Sequence, residues 1–166
     1  MLKSISKLTA AIAVVSIALF GSAHAKTLKI ETHFTASSPN GEVAAQFAKN
    51  VEKFSGGSLK VQMFYSSSVT GKSAEVFNSA QTGIIDCDMT GAGYQTGKNA
   101  AFQFAGDVMG GYDNPYQQYE FLNFPGAQEA VDALYNKYGM TLIGWWIPGH
   151  ESLISSRPIP DVASLK

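Results

Sequence analysis

The sequence contains little cysteine, little arginine and no cluster of basic residues. Cys87 is its only cysteine, so no disulfide can form within the chain, and a disulfide-stapled miniprotein is excluded. Arg157 is its only arginine. Without a basic patch the chain offers no nucleic-acid surface. Its one long apolar run, residues 8–20, is shorter than the ~20 residues of a membrane-spanning helix.

Motifs typical of common enzyme classes are also missing. The sequence contains no HExxH, no metal-binding cysteine spacing and no serine between glycines at a strand-to-helix turn. GAGYQTG at 91–97 lacks the dinucleotide-binding spacing, and GKS at 71–73 lacks the glycine at position 66 that a Walker motif needs. A secreted enzyme with its active site in irregular sequence stays open as an alternative.

The first 25 residues have the order of a secretory signal peptide. Lys3 and Lys7 precede the apolar run, and Ala23-His24-Ala25 is a small-x-small cleavage site. We expect cleavage after Ala25; the alternative is a short membrane anchor. Cleavage removes two of the 12 basic residues and none of the 13 acidic ones, leaving a formal charge of −3. An exported chain without disulfides is typical of the bacterial periplasm.

Alternating strand and helix patterns follow the cleavage site. Strands are predicted at residues 28–34, 59–65 and 84–90. A helix capped by Ser38 and a second at 73–82 separate them, ending at Gly56-Gly57 and Gly83. This order predicts an α/β fold with a mainly parallel sheet flanked by helices. Further along, the patterns predict helices at 115–123 and from Pro125 to Gly139, a fourth strand at 140–146 and an extended segment at 151–156.

Asp86 and Asp88 flank Cys87 at alternate positions of the third predicted strand. Two carboxylates on one face could bind a metal or act as acid and base. The alternative interpretation is structural: Asp86 caps the turn after Gly83, and Asp88 meets solvent or a backbone amide. We expect Cys87 to be a small buried residue rather than a reactive thiol.

Trp145 and Trp146 are the only tryptophans and are adjacent. On a strand they would point to opposite faces, so one could pack on the sheet while the other lines a ligand cleft. Pro148-Gly149 follows and would let the chain change direction. The alternative is that both rings are core residues beside a turn.

The order of several short motifs resembles the periplasmic solute-binding proteins of TRAP transporters, DctP type. The motifs are Ser55-Gly56-Gly57, Lys60-Val61, Glu75-Val76, Gly83-Ile84-Ile85-Asp86, Arg157-Pro158-Ile159 and Ser164-Leu165-Lys166. The segment from Gly110 to Met140 is most similar to the branch that binds 2-oxo acids and related carboxylates. The resemblance implies a periplasmic binding protein-like fold of two α/β lobes that close on a small organic acid and deliver it to membrane permease subunits.

The resemblance also implies boundaries and contacts. Residues 1–25 would be the signal peptide, 26–146 lobe I, and 147–166 the hinge crossing and the start of a truncated lobe II. The expected ligand contacts are His33, Phe34, Lys72, Tyr94, Trp145, Trp146, His150 and Glu151. Glu151 stands where many family members carry an arginine that grips the carboxylate, so it could instead help hold a cation or a ligand hydroxyl.

No catalytic residue and no resident cofactor are expected, although a metal ion that bridges ligand and protein is compatible with the resemblance. Two alternatives stay open: an ABC-type binding protein for another solute, such as an amino acid or a sugar, and the secreted enzyme.

Overall fold

The computed structural model describes residues 25–106, 108, 111–147 and 154–165. Contacts between residues divide the chain into two compact units. The first comprises the described residues up to Gly71 together with Ile85–Met89, and the second comprises Lys72–Ile84 and the described residues from Thr90 onward. No helix in the described ranges is both long and apolar enough to cross a membrane.

The first unit is a parallel sheet with one helix. Its elements are β1 (Lys26–Thr32), α1 (Pro39–Phe54), β2 (Leu59–Phe64) and β3 (Cys87–Met89). The strand order is β2-β1-β3, and β1 pairs in parallel with both neighbours. The parallel pairing confirms the predicted α/β class. The third strand is shorter than the predicted 84–90.

Helix α1 begins and ends where the sequence signals predict. The Ser38 hydroxyl accepts a hydrogen bond from the Gly41 N–H at 3.1 Å, and Pro39 occupies the first turn. After the helix, Gly56 and Gly57 adopt φ of 60° and 80°, which glycine reaches without steric cost. Among the apolar residues of α1, Ala44 is fully buried, but Val43 and Phe54 are exposed.

The two longer strands differ in burial because of their positions in the sheet. Edge strand β2 alternates between half-buried and exposed residues along most of its length. Central strand β1 does not, since Ile30, Glu31 and Thr32 are all buried. The apolar and polar residues that alternate along 28–34 are typical of a half-buried strand, and this expectation is wrong at the carboxyl end of β1. A central strand of a parallel sheet is covered on both faces.

The second unit is helical and irregular. Its helices are α2 (Val76–Gln81), α3 (Pro115–Asn123) and α4 (Pro125–Asn136), with short 3₁₀ turns at Ser73–Glu75, Ala92–Gln95, Ala100–Ala105 and Val162–Leu165. Gly83 stops α2 with φ of 75°. The aromatic core packs edge to face, with ring centroids 5.8 Å apart for Phe77 and Phe102 and 5.2 Å apart for Phe102 and Tyr135. Val131 and Leu134 of α4 complete it.

The predicted fourth strand is not formed. Residues 141–147 have no regular secondary structure. A strand needs a neighbouring strand to complete its backbone hydrogen bonds, and a strand-like sequence alone does not supply that neighbour. Part of the extended segment predicted at 151–156 lies outside the described residues, and Ile154 and Ser155 are irregular.

Candidate functional site

His33 and Phe34 directly follow β1, which ends at Thr32, although the strand predicted at 28–34 included them. Their ring centroids lie 3.9 Å apart at an interplanar angle of 38°, and both residues are half-buried. The Phe34 N–H donates to the Thr32 hydroxyl at 3.4 Å. The two rings thus form a small aromatic surface at the carboxyl end of the central strand, where parallel sheets generally bind ligands.

A loop of residues 65–71 is hydrogen-bonded to this strand end. The Ser66 N–H donates to the carbonyl of Phe34 at 2.9 Å, and the Ser67 N–H donates to the carbonyl of Thr32 at 3.1 Å. Ser66 and Ser67 have φ of 57° and 51°, in the left-handed region that residues with a Cβ avoid. The loop therefore holds a disfavoured backbone shape against the residues on either side of His33.

Glu31 is the polar residue of this strand end that the sequence analysis missed. Its side chain is fully buried, and Oε1 accepts hydrogen bonds from the N–H groups of Val69 at 2.6 Å and Thr70 at 3.4 Å. The other oxygen, Oε2, is buried and has no hydrogen-bond partner in the described part of the chain. The signal that could have identified Glu31 is a charged residue in the central strand of a parallel sheet. Such a strand is covered on both faces, so a carboxylate on it must be hydrogen-bonded.

The carboxylate of Asp86 has a structural role. Its Oδ2 accepts from the Lys29 N–H, and its own N–H donates to the Lys29 carbonyl, both at 2.8 Å. Asp86 therefore extends the pairing of β3 with β1, and it does not cap the turn after Gly83. Within the described ranges no three His, Cys, Asp or Glu side chains are grouped to hold a metal.

Cys87 is half-buried between Asp86 and Asp88. Burial raises the pKa of its thiol, and the two neighbouring carboxylates raise it further. The thiolate is the reactive form, so this environment disfavours nucleophilic chemistry.

Lys72 and Tyr94 belong to the second unit. Lys72 is exposed at the start of a 3₁₀ turn, where its carbonyl accepts the Glu75 N–H at 3.0 Å. Tyr94 lies in the turn after β3 and is 46% exposed. Lys72 thus directly precedes the segment predicted as a helix, 73–82, and Tyr94 follows the strand predicted at 84–90.

Trp145 is half-buried; it packs against the aromatic core of the second unit and also lines a pocket of about 200 Å³. The other lining residues are Tyr119, Asn123, Gln128, Leu142, Ile143 and Gly144. Trp146 is also half-buried, so neither indole is sealed in a core. The prediction that they lie on a strand is wrong, because residues 141–147 are irregular.

Two predicted contacts, His150 and Glu151, lie outside the described residues.

Arg157 is exposed, and its Nη2 donates to the Ser164 carbonyl at 3.4 Å. Asp161 accepts from the hydroxyl and N–H of Ser164, and these bonds lower the pKa of its carboxyl group. Arg157 thus contacts a local turn.

A known family matches most of the chain. The model described as bacterial extracellular solute-binding protein, family 7 (DctP), matches residues 30–166. Comparison with curated proteins gives no significant match.

Solved structures of TRAP periplasmic solute-binding proteins are similar to the chain. One from Rhodobacter sphaeroides, in an apo open form, is 25% identical with a TM-score of 0.66; the match covers 71% of this chain and 37% of that one. One from Pseudoalteromonas atlantica, with bound sodium and pyruvate, is 20% identical with a TM-score of 0.63, over 69% of this chain and 35% of that one.

An extracytoplasmic solute receptor from Bordetella pertussis that binds pyroglutamic acid is 21% identical with a TM-score of 0.60, over 71% of this chain and 38% of that one. The neighbours at 20% and 21% identity show the fold alone. The chain spans about a third of the length of the solved proteins that it matches.

Proposed function

Because the chain belongs to family 7 of the bacterial extracellular solute-binding proteins, we propose that it is the extracytoplasmic solute-binding component of a TRAP transporter. It captures a small organic acid and delivers it to the membrane permease. The match over residues 30–166 carries the proposal. The family is one of solute-binding proteins, and binding without turnover is the activity we propose.

The ligand class is proposed from the ligands bound in two of the similar structures reported above. These two bind a small carboxylate, either pyruvate together with sodium or pyroglutamic acid. We therefore propose a small carboxylate, with 2-oxo acids as the first candidates. Because no metal-binding group of His, Cys, Asp or Glu is present in the described ranges, a cation is tested as a variable of the binding experiment.

Six of the proposed contacts lie in the described part of the chain: His33, Phe34, Lys72, Tyr94, Trp145 and Trp146. The Lys72 ammonium suits a carboxylate, and the aromatic rings suit the apolar part of a small organic molecule. His150 and Glu151 remain proposed contacts on the basis of the family resemblance.

Calorimetry with matched ligands tests the proposal. The complete product of the gene is titrated with pyruvate and with pyruvamide, with and without calcium or sodium. Pyruvate is expected to bind at least about tenfold more tightly, because the amide loses a charge-assisted hydrogen bond. Equal binding of acid and amide, or no binding of pyruvate, pyroglutamate or picolinate, contradicts the carboxylate proposal. Mass spectrometry of the recovered ligand tests for turnover. A chemically converted ligand would show that the protein is an enzyme and not only a binding protein.

The two tryptophans allow a second test of the site. The variants Trp145→Phe and Trp146→Phe each leave a single indole, so each isolates the fluorescence of one ring. Saturating pyruvate is expected to change the emission of at least one variant, because ligand binding changes the polarity around an indole that lines the cleft. Unchanged emission from both, with binding established by calorimetry, rules out an indole in the binding site.

The export and domain assignments are part of the same proposal. Residues 1–25 are the signal peptide, 26–146 lobe I, and 147–166 the hinge crossing with the start of lobe II. Amino-terminal sequencing of the exported protein should begin at Lys26. TRAP membrane-subunit genes beside this gene support the permease assignment, whereas a neighbouring ATPase gene favours an ABC-type binding protein.

A further inference from the structure

Glu31 lies two residues before the first predicted ligand contact and is fully buried. Burial strips a carboxylate of its hydration, which is costly unless hydrogen bonds replace the water. Only Oε1 is bonded, to the backbone of Val69 and Thr70, while Oε2 has no hydrogen-bond partner among the described residues. An apolar side chain of similar size would fill the same space at lower cost, so packing alone does not account for Glu31.

The loop that Glu31 holds is attached to the backbone around His33. Ser67 and Ser66 donate to the carbonyls of Thr32 and Phe34, which lie on either side of His33 in the chain. The loop thus determines where these two carbonyl groups lie. All of these residues belong to the first unit.

This loop needs external contacts to keep its shape. Two successive residues, Ser66 and Ser67, lie in the left-handed backbone region. Such conformations persist only where the surrounding structure fixes them. The Gly71 N–H closes the loop on the Ser67 carbonyl at 2.7 Å, and the Glu31 carboxylate holds the residues between them.

We propose that Glu31 is a positioning residue for His33 and Phe34. Its carboxylate fixes residues 65–71, the loop fixes the carbonyls on either side of His33, and the adjacent rings keep their 3.9 Å separation. That these rings contact the ligand rests on the proposed function. The positioning itself does not depend on which ligand binds.

Three substitutions separate the hydrogen bond from charge and packing. Glu31→Gln keeps an acceptor at the same reach, Glu31→Leu keeps the volume without an acceptor, and Glu31→Asp keeps the charge but is shorter by one methylene. Glu52→Gln is the matched control, because Glu52 also accepts a backbone N–H, from Val61 at 3.0 Å, in the same unit.

Amide exchange and NMR shifts measure the positioning directly. Glu31→Leu and Glu31→Asp should accelerate exchange at Val69 and Thr70 by about tenfold, since each hydrogen bond is worth about one factor of ten. They should also shift the His33 imidazole resonances, which sense the Phe34 ring. Glu31→Gln should largely restore both, and the Glu52→Gln control should change neither.

The aspartate variant decides the exchange experiment if the leucine variant does not fold. Unchanged exchange at Val69 and Thr70 overturns the proposal, and so does faster exchange with unchanged His33 resonances.

Pyruvate affinity of the complete gene product adds the functional readout. The leucine or aspartate variant should weaken binding by about tenfold, with the glutamine variant near wild type. Faster exchange with unchanged affinity overturns the link to binding. If the wild type does not bind pyruvate, the proposed ligand class is what fails, and the exchange and imidazole measurements still decide the positioning.

Discussion

At the scale of single residues, the backbone contacts of a carboxylate determine its role in this chain. Glu52 on α1 accepts the N–H of Val61 in β2 at 3.0 Å and lies 3.5 Å from the Lys60 ammonium. The backbone hydrogen bond is the largest cause of the lowered pKa of Glu52, and Lys60 contributes less. Because both side chains of the ion pair are exposed to solvent, we expect the pair itself to add little stability.

The pH dependence of the folding stability of Glu52→Gln tests this role of the Glu52 carboxylate. A lowered folded-state pKa means that ionised Glu52 stabilises the fold above its unfolded pKa, and that this stability is lost as pH falls through the folded pKa. The variant should therefore be less stable than wild type at pH 7, with the difference shrinking toward acid pH. Urea midpoints measured from pH 7 to pH 2 check this. Exposed Glu129, replaced by glutamine, is the control, and a pH-independent difference for Glu52→Gln contradicts the account.

Cys87 gives a second prediction at this scale. Its raised thiol pKa and half-buried position predict slow alkylation by iodoacetamide at pH 8. Urea-unfolded protein should react severalfold faster at the same pH, because the thiolate is no longer disfavoured by burial. Equal rates in the folded and unfolded states would show that the thiol is reactive. The single cysteine makes the labelling unambiguous.

At the scale of elements, local signals are reliable where the element depends on neighbours in sequence. Helix α1 is bounded by Ser38 and Gly56 because capping and the left-handed glycine act within a few residues. Helix α3 likewise begins at Pro115, after Asn114 caps the N–H groups of Tyr116 and Gln117. These features could be predicted without knowledge of the rest of the fold.

Strands were less predictable, because pairing depends on distant residues. The register of β3 against β1 limits the third strand to the stretch from Cys87, opposite Ile30, to Met89, opposite Thr32. Residues 140–146 have a strand-like sequence but form no strand with a hydrogen-bonded neighbour. The burial of Glu31 was missed for the same reason, because strand order in the sheet, rather than alternation along β1, determines it.

Gly41 gives the prediction at this scale. A Cβ built on this buried glycine would lie 2.0 Å from the Thr35 carbonyl oxygen, so the first turn of α1 packs directly on the preceding backbone. Gly41→Ala should destabilise the fold by about 2 kcal/mol, as forced overpacking does.

The matched control is Gly97→Ala, because a Cβ there meets nothing within 4 Å and its φ is not positive. Chemical denaturation of both variants checks the prediction. Equal effects of the two substitutions would show that α1 can move away from Thr35.

At the scale of the whole molecule, the sequence identified the family more securely than it identified the site. The order of short motifs along the chain indicated a solute-binding protein, and the family match over residues 30–166 confirms that resemblance. The structure locates Tyr94 in a 3₁₀ turn, and His33, Phe34, Lys72 and both tryptophans in loops or irregular segments. His150 and Glu151 lie outside the described ranges. Which of them touch a ligand depends on contacts between elements, which motif order does not encode.

Thermal unfolding of the complete gene product with acid and amide pairs tests the central claim most directly. Each carboxylate, including pyruvate, pyroglutamate and picolinate, is compared with its amide at equal concentration. At a hundredfold excess over Kd a bound ligand adds about 2.7 kcal/mol of stability, which raises Tm by several degrees. At least one carboxylate is expected to raise Tm, whereas its amide is not. A panel in which no acid raises Tm, or in which acids and amides act alike, would show that the protein does not recognise a carboxylate.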